Sequence, residues 1–430
     1  MKICRKEKRE NGTRYYVLGC CVYELVRKGW FRYYKLFGVE IARKFLKRKE
    51  IIRAEEILLE KAKQYCNVPD EERLYLCFDS LEDPHAEAID AWTLFRYLQK
   101  KRYPSRYVIL RDNPLYKELV ARDALQDVIA IQHEKELLTE HSAVVAQAKG
   151  IFCSFGYSTS DILAKLPFLK YVFIEHGVML LKKRTVHYYV DSGDSGSLIL
   201  TPTRLTLDFY KDEGIMTGRR VCCGLPRWDN LTERKEVSDI QYIFIYFTWR
   251  VSFFRHPETL NVYVNRIKQF IEKLVQSNQQ RNEVKVYMSL HHTVLRLYPE
   301  ITTEFSQVEL VDPNQVSTMI RKADLCVTDY SSICFDFMYR DVPVVFYRFD
   351  ADVSYPDERD NQDAADAASS DSQLYNVFYD EQSALDRIDF YIQNGCILEG
   401  YNKKKNKQIF WEKGNNCERL IEFVEKNVFS

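Results

Sequence analysis

Short apolar segments that read as strands alternate with helical segments along most of this chain, and that alternation limits the folds open to it. Leu74–Phe78, Tyr107–Leu110, Val128–Ile131, Gly150–Ser154 and Tyr171–Ile174 read as strands. Asp90–Gln99, Leu115–Ala121, Lys135–Ala148 and Ser160–Leu166 carry helical spacing between them. The pattern restarts after Trp228, with strands over Tyr242–Tyr246, Val284–Leu290, Val308–Val311, Leu325–Thr328 and Val342–Tyr347. Helices are predicted there over Leu260–Ser277, Val316–Lys322 and Ser331–Tyr339. Strands separated by helices pair in parallel through right-handed crossovers. The expected fold class is therefore α/β, with two Rossmann-like domains in succession. Ligands of such sheets bind beyond the carboxyl ends of the strands. At 430 residues the chain suits two domains of roughly 150–200 residues each.

Residues 1–65 differ from the rest. Arg27, Lys28, Arg32, Lys35, Arg43 and Lys44 are mixed there with Trp30, Phe31, Tyr33, Tyr34 and Phe45. Read at helical spacing, they predict a basic, amphipathic N-terminal helical segment. Such a helix either lies on an anionic leaflet or packs on the protein with a solvated basic face. The expected division is 1–65 for this segment, 66–228 for an N-terminal domain and 229–430 for a C-terminal domain. The stretch 350–372, rich in Asp, Ala and Ser, reads as a mobile loop. Asp350-Ala351-Asp352 within it has the spacing of a metal pair, but in an acidic loop it reads as solvated charge.

Sixty-two basic residues balance sixty-two acidic ones, so the chain has no overall electrostatic bias toward nucleic acid. The twelve cysteines include no Cys-x-x-Cys and no zinc-ligand spacing, which reads as scattered thiols in a reducing cytoplasm. No apolar run reaches the ~18 residues of a membrane span, and the charged N-terminus lacks the apolar core of a signal peptide.

The residues with chemical potential stand at predicted strand ends. After Leu325–Thr328 come Asp329, Tyr330, Ser331 and Ser332, where a helix starts. Free backbone N–H groups and two hydroxyls suit a phosphate, although Asp329 or Ser331 could equally cap the helix. His176 follows the strand Tyr171–Ile174, and Gly177 allows a tight turn beside it. A histidine so placed can remove a proton near neutral pH. Arg250 follows Tyr242–Tyr246, where a guanidinium can grip phosphate oxygens in bidentate fashion. His291 and His292 follow the strand ending near Leu290. Neighbouring side chains on a strand point to opposite faces, so one imidazole rather than two is expected toward a ligand, and which one is open.

His-Gly, Gly224-Leu225-Pro226-Arg227-Trp228-Asp229, Thr248-Trp249-Arg250, a strand ending in histidine, and Thr328-Asp329-Tyr330-Ser331-Ser332 through Phe335-Asp336-Phe337 occur in that order. Together they resemble the CDP-glycerol glycerophosphotransferases of teichoic-acid and capsule synthesis, over roughly residues 75–425. The resemblance implies a GT-B-like fold, two Rossmann-like domains facing across a cleft. It implies transfer of glycerol phosphate, or ribitol phosphate in related enzymes, from a CDP-polyol to a hydroxyl, with release of CMP. It implies that no metal or other cofactor is required. By resemblance His176 is the catalytic base and His291 the second catalytic histidine. Arg250, Thr328, Ser331 and Ser332 bind donor phosphate. Asp329 and Asp336 serve the nucleotide, its ribose or the structure, and Gly177 and Arg227 lie toward the acceptor. Expected partners are the CDP-polyol, a lipid-linked or saccharide acceptor and an anionic membrane surface. The expected location is cytoplasmic, on the inner face of the plasma membrane. Here His292 stands where the family has proline and Glu175 where it has tryptophan. A GT-B glycosyltransferase using a nucleotide sugar, and a silent membrane-associated scaffold, are the other readings.

Overall fold

A computed structural model describes residues 4–428, apart from 10–11, 18–19, 29–30, 37–38, 46–47, 66, 82–88, 155–162, 164–165, 167, 176, 179, 182–197, 213–218 and 232–239. The chain divides into two compact units, one of residues 1–173 with 194–198, the other of 174–193 with 199–428. Residues 199–228, expected in the first domain, therefore belong to the second.

The first unit opens with a departure from expectation. Residues 4–45 form no helix; they form a five-stranded antiparallel meander. Its strands are β1 (Cys4–Arg9), β2 (Gly12–Val17), β3 (Cys20–Lys28), β4 (Phe31–Leu36) and β5 (Val39–Phe45). The reason is in the punctuation. Gly12, Gly19, Gly29 and Gly38 stand in or beside four connections of two residues each, the length that favours hairpins. Tyr, Val and Phe between them favour strands. The first helix begins only at Arg48 and runs to Ala62.

The α/β part of this unit follows the predicted alternation. Its strands are β6 (Leu74–Phe78), β7 (Ser105–Leu110), β8 (Val128–Ile131), β9 (Ala148–Cys153) and β10 (Lys170–Phe173). They pair in parallel in the order β10-β9-β6-β7-β8. Asp79, just beyond β6, is buried and accepts from the Tyr107 hydroxyl (2.8 Å), the Ser154 hydroxyl (2.7 Å) and the backbone N–H groups of Ala91 and Trp92. Those last two lie in the first turn of the helix Asp90–Lys100, so Asp79 caps it and ties β6, β7 and the end of β9 to it. Burial raises the Asp79 carboxyl above its usual range, against the pull of these hydrogen bonds.

Next in sequence are the short strands β11 (Leu198–Leu200) and β12 (Arg219–Val221), joined where Thr201 N–H donates to the Val221 carbonyl at 2.8 Å. The second unit is built on β13 (Gln241–Tyr246), β14 (Val284–Ser289), β15 (Glu309–Leu310), β16 (Leu325–Thr328), β17 (Val344–Tyr347) and β18 (Val377–Phe378). All pair in parallel, in the order β15-β14-β13-β16-β17-β18. The helix Glu258–Ser277 buries Leu260, Tyr263, Val264, Ile267, Phe270, Ile271 and Leu274, one apolar face at 3.6-residue spacing. That face shares a core with Ile243, Ile245, Val327 and Val345 of the sheet. Each such side chain contributes ~1.5–3 kcal/mol on burial.

Residues 358–370, expected in a mobile loop, are helical. Asp357 caps this helix by accepting from Arg359 N–H at 3.0 Å, and its alanines are strong helix formers.

Candidate active site

The candidate site lies in the second unit, where the segments after β13, β14, β16 and β17 meet. At its base is Arg250, 4% exposed. Its Nε donates to Asp350 (2.8 Å), Nη1 to the Thr248 carbonyl (2.6 Å), and Nη2 to both Asp329 (2.8 Å) and Asp350 (2.9 Å). The guanidinium also faces the Tyr330 ring at 4.8 Å. Burial alone would lower its affinity for a proton, but the charges of Asp350 and Asp329 outweigh that and hold it firmly protonated. Arg250 was expected to grip donor phosphate. Instead two buried carboxylates occupy its fork, and a phosphate would have to displace one of them.

Asp350 is the residue sequence reasoning undervalued. It accepts from Arg250, from the Tyr355 hydroxyl at 2.7 Å and from the Tyr330 hydroxyl at 3.4 Å. Burial, with the Asp350 charge added to it, pushes both phenols well above their ordinary range. Asp352 instead faces solvent and pairs with Arg266, so the two aspartates do not form a metal pair. Among the described residues no group of three His, Cys, Asp or Glu is arranged to hold a metal ion. Asp360, likewise not anticipated, accepts from Val251 N–H and Ser252 N–H at 2.7 Å each and fixes the turn after Arg250.

Asp329 is fully buried and accepts from Thr248 N–H at 2.8 Å as well as from Arg250. Its side chain holds the segment after β13 and is not open to a ribose. Thr328 is also buried; its hydroxyl donates to the Tyr246 carbonyl at 2.6 Å, across the β13–β16 pair. Its expected role as a phosphate donor is therefore taken by a structural bond.

Ser331 and Ser332 are half-buried. The Ser331 hydroxyl accepts from Ile333 N–H at a long 3.4 Å. Gly177 approaches so closely that a Cβ placed on it would lie 2.8 Å from Ser332 Oγ. The His-Gly segment and the serine pair therefore meet within one unit. His176 itself lies outside the described residues. Glu175 before it is buried and has a φ of 53°, an uncommon backbone state for a non-glycine residue.

His291 and His292 do not diverge as neighbours on a strand would. β14 ends at Ser289, and His292 is the first residue of the helix His292–Leu297. Their rings lie 4.2 Å apart. His291 caps that helix, its Nδ1 accepting from Thr293 N–H at 3.2 Å, and Trp249 packs beside it at 5.7 Å. With Nδ1 an acceptor, the neutral ring carries its proton on Nε2.

Arg227, expected toward the acceptor, and Asp336, expected to serve the nucleotide, its ribose or the structure, bind each other. They form a two-pronged ion pair, Nε to Oδ1 at 3.0 Å and Nη2 to Oδ2 at 3.2 Å, and Trp228 Nε1 donates to the same carboxylate at 2.5 Å. Asp229 accepts from Asn416 N–H (2.7 Å) and Cys417 N–H (2.9 Å), capping the helix Asn416–Val428. Gly224 N–H donates to Asn416 Oδ1 at 3.0 Å. Gly-x-Pro-Arg-x-Asp is therefore a clasp that joins two helices of its own unit.

A family model described as CDP-glycerol:poly(glycerophosphate) glycerophosphotransferase matches residues 71–426. The minor teichoic acid biosynthesis protein GgaB of Bacillus subtilis (strain 168) is 22% identical over 369 residues, covering 80% of this chain. The match takes in 38% of GgaB, so the chain spans well under half of that curated relative. The structure of the wall teichoic acid polymerase TagF superposes with a TM-score of 0.54 at 14% identity, covering 89% of this chain and 98% of that one. A putative UDP-N-acetylglucosamine 2-epimerase from Listeria monocytogenes gives a TM-score of 0.53 at 14% identity, covering 83% and 96%. The fold is GT-B-like, with two Rossmann-like parallel-sheet units.

Two substitutions test this framework. Asp350→Asn keeps the volume but leaves Arg250 short of a charge, and should lower unfolding free energy by ~3–5 kcal/mol in a denaturant titration. Gly224→Ala puts a methyl 2.5 Å from Asn416 Oδ1 and 2.7 Å from the Trp228 ring. It should cost ~1–3 kcal/mol in the same assay. A wild-type midpoint in either variant contradicts the geometry described.

Proposed function

Because the chain belongs to the CDP-glycerol:poly(glycerophosphate) glycerophosphotransferase family, matched from residue 71 to 426, we propose that it transfers glycerol phosphate from CDP-glycerol to an acceptor hydroxyl. The observation that carries this reading is the close approach of Gly177 to Ser332, which joins the His-Gly segment to the serine pair inside the matched region.

The acceptor oxygen attacks the β-phosphorus, and His176 takes the acceptor proton. A new phosphorus–oxygen bond forms, the bond to the bridging oxygen breaks, and CMP leaves with that electron pair. Phosphoryl transfer depends chiefly on alignment and charge stabilisation. Ser331, Ser332 and the Nε2–H of His291 supply donors for phosphate oxygens. Arg250 acts beneath them as a positioning residue, since Asp329 and Asp350 bind it while their neighbours Tyr330 and Phe349 pack on its guanidinium. Ribitol phosphate is the other polyol to test. The acceptor in this reading is a lipid-linked or saccharide chain in cell-envelope polymer synthesis, reached from the cytoplasm at the inner face of the plasma membrane. No helix among the described residues is long and apolar enough to cross a membrane.

Purified protein should release CMP from CDP-glycerol when given a membrane extract as acceptor. His176→Ala should lower that release by ~10²–10⁴ without a shift in melting temperature. Release of a nucleoside diphosphate from a UDP-sugar, with CDP-polyols untouched, would transfer the enzyme to the glycosyltransferases. His291→Asn and His291→Gln separate the two functions of that ring. Asparagine keeps the cap acceptor, so its variant should melt like the wild type yet lose at least tenfold in turnover. Glutamine, whose amide reaches toward the Nε2 position, should recover part of the turnover. Equal activity in the asparagine variant would remove His291 from the reaction.

A further inference from the structure

The helix Gly400–Ile409, in the second unit, shows charge of one sign to solvent. Asn402, Asn406 and Ile409 are buried, which turns Lys403, Lys404 and Lys407 outward, and all three are exposed. None of these three ammonium groups has an ion-pair or hydrogen-bond partner among the described residues. Lys405 turns inward instead, its Nζ donating to the Leu374 carbonyl at 2.8 Å. No acidic residue occurs from 400 to 411. Glu399, just before the helix, is bound by Arg387, by the Tyr391 hydroxyl and by Asn402 Nδ2, so its charge is answered within the fold. Beside the lysines stand Tyr401, 70% exposed, and Ile397, 65% exposed, the highest values of any large hydrophobic side chain among the described residues. Cys396 and Leu398 on either side of Ile397 are buried, so the turn into the helix holds Ile397 outward. A lone exposed apolar residue asks for no explanation, but two at one end of an unopposed basic helix do.

We infer that this helix face docks on an anionic phospholipid leaflet, with Ile397 and Tyr401 entering the headgroup boundary and Lys403, Lys404 and Lys407 facing the lipid phosphates. Each kind of side chain matches one layer of that partner. Lysines beside an anionic leaflet are drawn by its surface potential, and their long stems let the ammonium groups stay with the phosphates while apolar neighbours lie deeper. Tyrosine favours the boundary between membrane and water, and binding strength at that boundary adds buried apolar area to charge attraction. A soluble polyanion would satisfy the lysines alone and leave Ile397 in water. The surface uses no residue of the proposed reaction, so it stands apart from that reading. It also lies far along the chain from residues 1–65, where the basic amphipathic surface was expected.

Co-flotation of the full chain tests this, with vesicles of phosphatidylglycerol mixed into phosphatidylcholine and vesicles of phosphatidylcholine alone. The wild type should float with the anionic vesicles, less as salt rises, and stay behind with the neutral ones. Lys403→Gln/Lys404→Gln/Lys407→Gln should weaken that binding at least tenfold. Ile397→Ser/Tyr401→Ser should weaken it as well, and by a larger factor at high salt, where the apolar contact carries what remains. Removing as much charge from other exposed positions, in Lys100→Gln/Lys117→Gln/Lys285→Gln, should leave binding unchanged. Full binding by the first triple variant, with an unaltered melting curve, would overturn the inference. An equal loss in the second triple variant would overturn it too, since the attraction would then belong to the whole chain. A soluble glycerol-phosphate oligomer bound alike by the wild type and by Ile397→Ser/Tyr401→Ser, with anionic vesicles bound by neither, would replace the leaflet with a polyanion.

Discussion

The pairing of Arg250 with two buried carboxylates organises the second unit's strand ends. Asp329 follows β16 and Asp350 follows β17, while Arg250 itself follows β13, so one guanidinium holds three neighbouring segments. Removing charges from water is costly, and the geometry must be good to offset it. Here it is: four side-chain and backbone contacts lie between 2.6 and 2.9 Å, and Tyr330 closes over the cation. Arg348 adds a second cation to the same layer, donating to the Asp329 carbonyl and pairing with Asp371. Ser331 and Ser332 start from this layer, which explains how two small, half-buried residues can keep a fixed position.

The two parallel sheets were legible because buried parallel strands read as continuous apolar runs, and all predicted strands from Leu74 to Phe346 appear within a residue or two. The N-terminal sheet was not. Its mixture of basic and aromatic residues fits a helical stripe as well as a strand pair, and the reading turned on the residues themselves rather than on the glycines between them. Gly12, Gly19, Gly29 and Gly38 were the available signal. At the site, sequence placed Arg250, Asp329, His291 and the serines at strand ends, where the structure has them. It could not say which would be filled by protein partners, because that depends on Asp350 and Asp360, distant in sequence and in a stretch whose composition resembled a loop.

Burial sorts these residues by task. Thr328 and Asp329 are wholly buried and Arg250 nearly so, with polar atoms bonded inside the protein. Ser331, Ser332, His291 and His292 keep part of their surface open. A group that must meet a substrate cannot have all its capacity used by neighbours, and a group that must fix a backbone cannot leave it unused. Within the run Thr328-Asp329-Tyr330-Ser331-Ser332 both kinds occur in sequence, buried framework residues first and half-buried hydroxyls after.

This division bears on what the ordered motifs report. Gly224, Arg227, Trp228, Asp229 and Asp336 close a clasp, and Thr248, Arg250, Thr328 and Asp329 lock three strand ends. These are the residues that make the motif set specific, and their work is to hold a GT-B-like unit in one geometry. The epimerase likeness at nearly the same TM-score as the polymerase shows how widely such a unit is shared. Under the proposed reaction, donor choice falls to the half-buried positions beside this framework, the serine pair and the two imidazoles, and to the Gly177 turn. Two chains could therefore carry the whole framework and still differ in what they bind, since the clasp and the arginine layer use their polar groups in bonds within the protein.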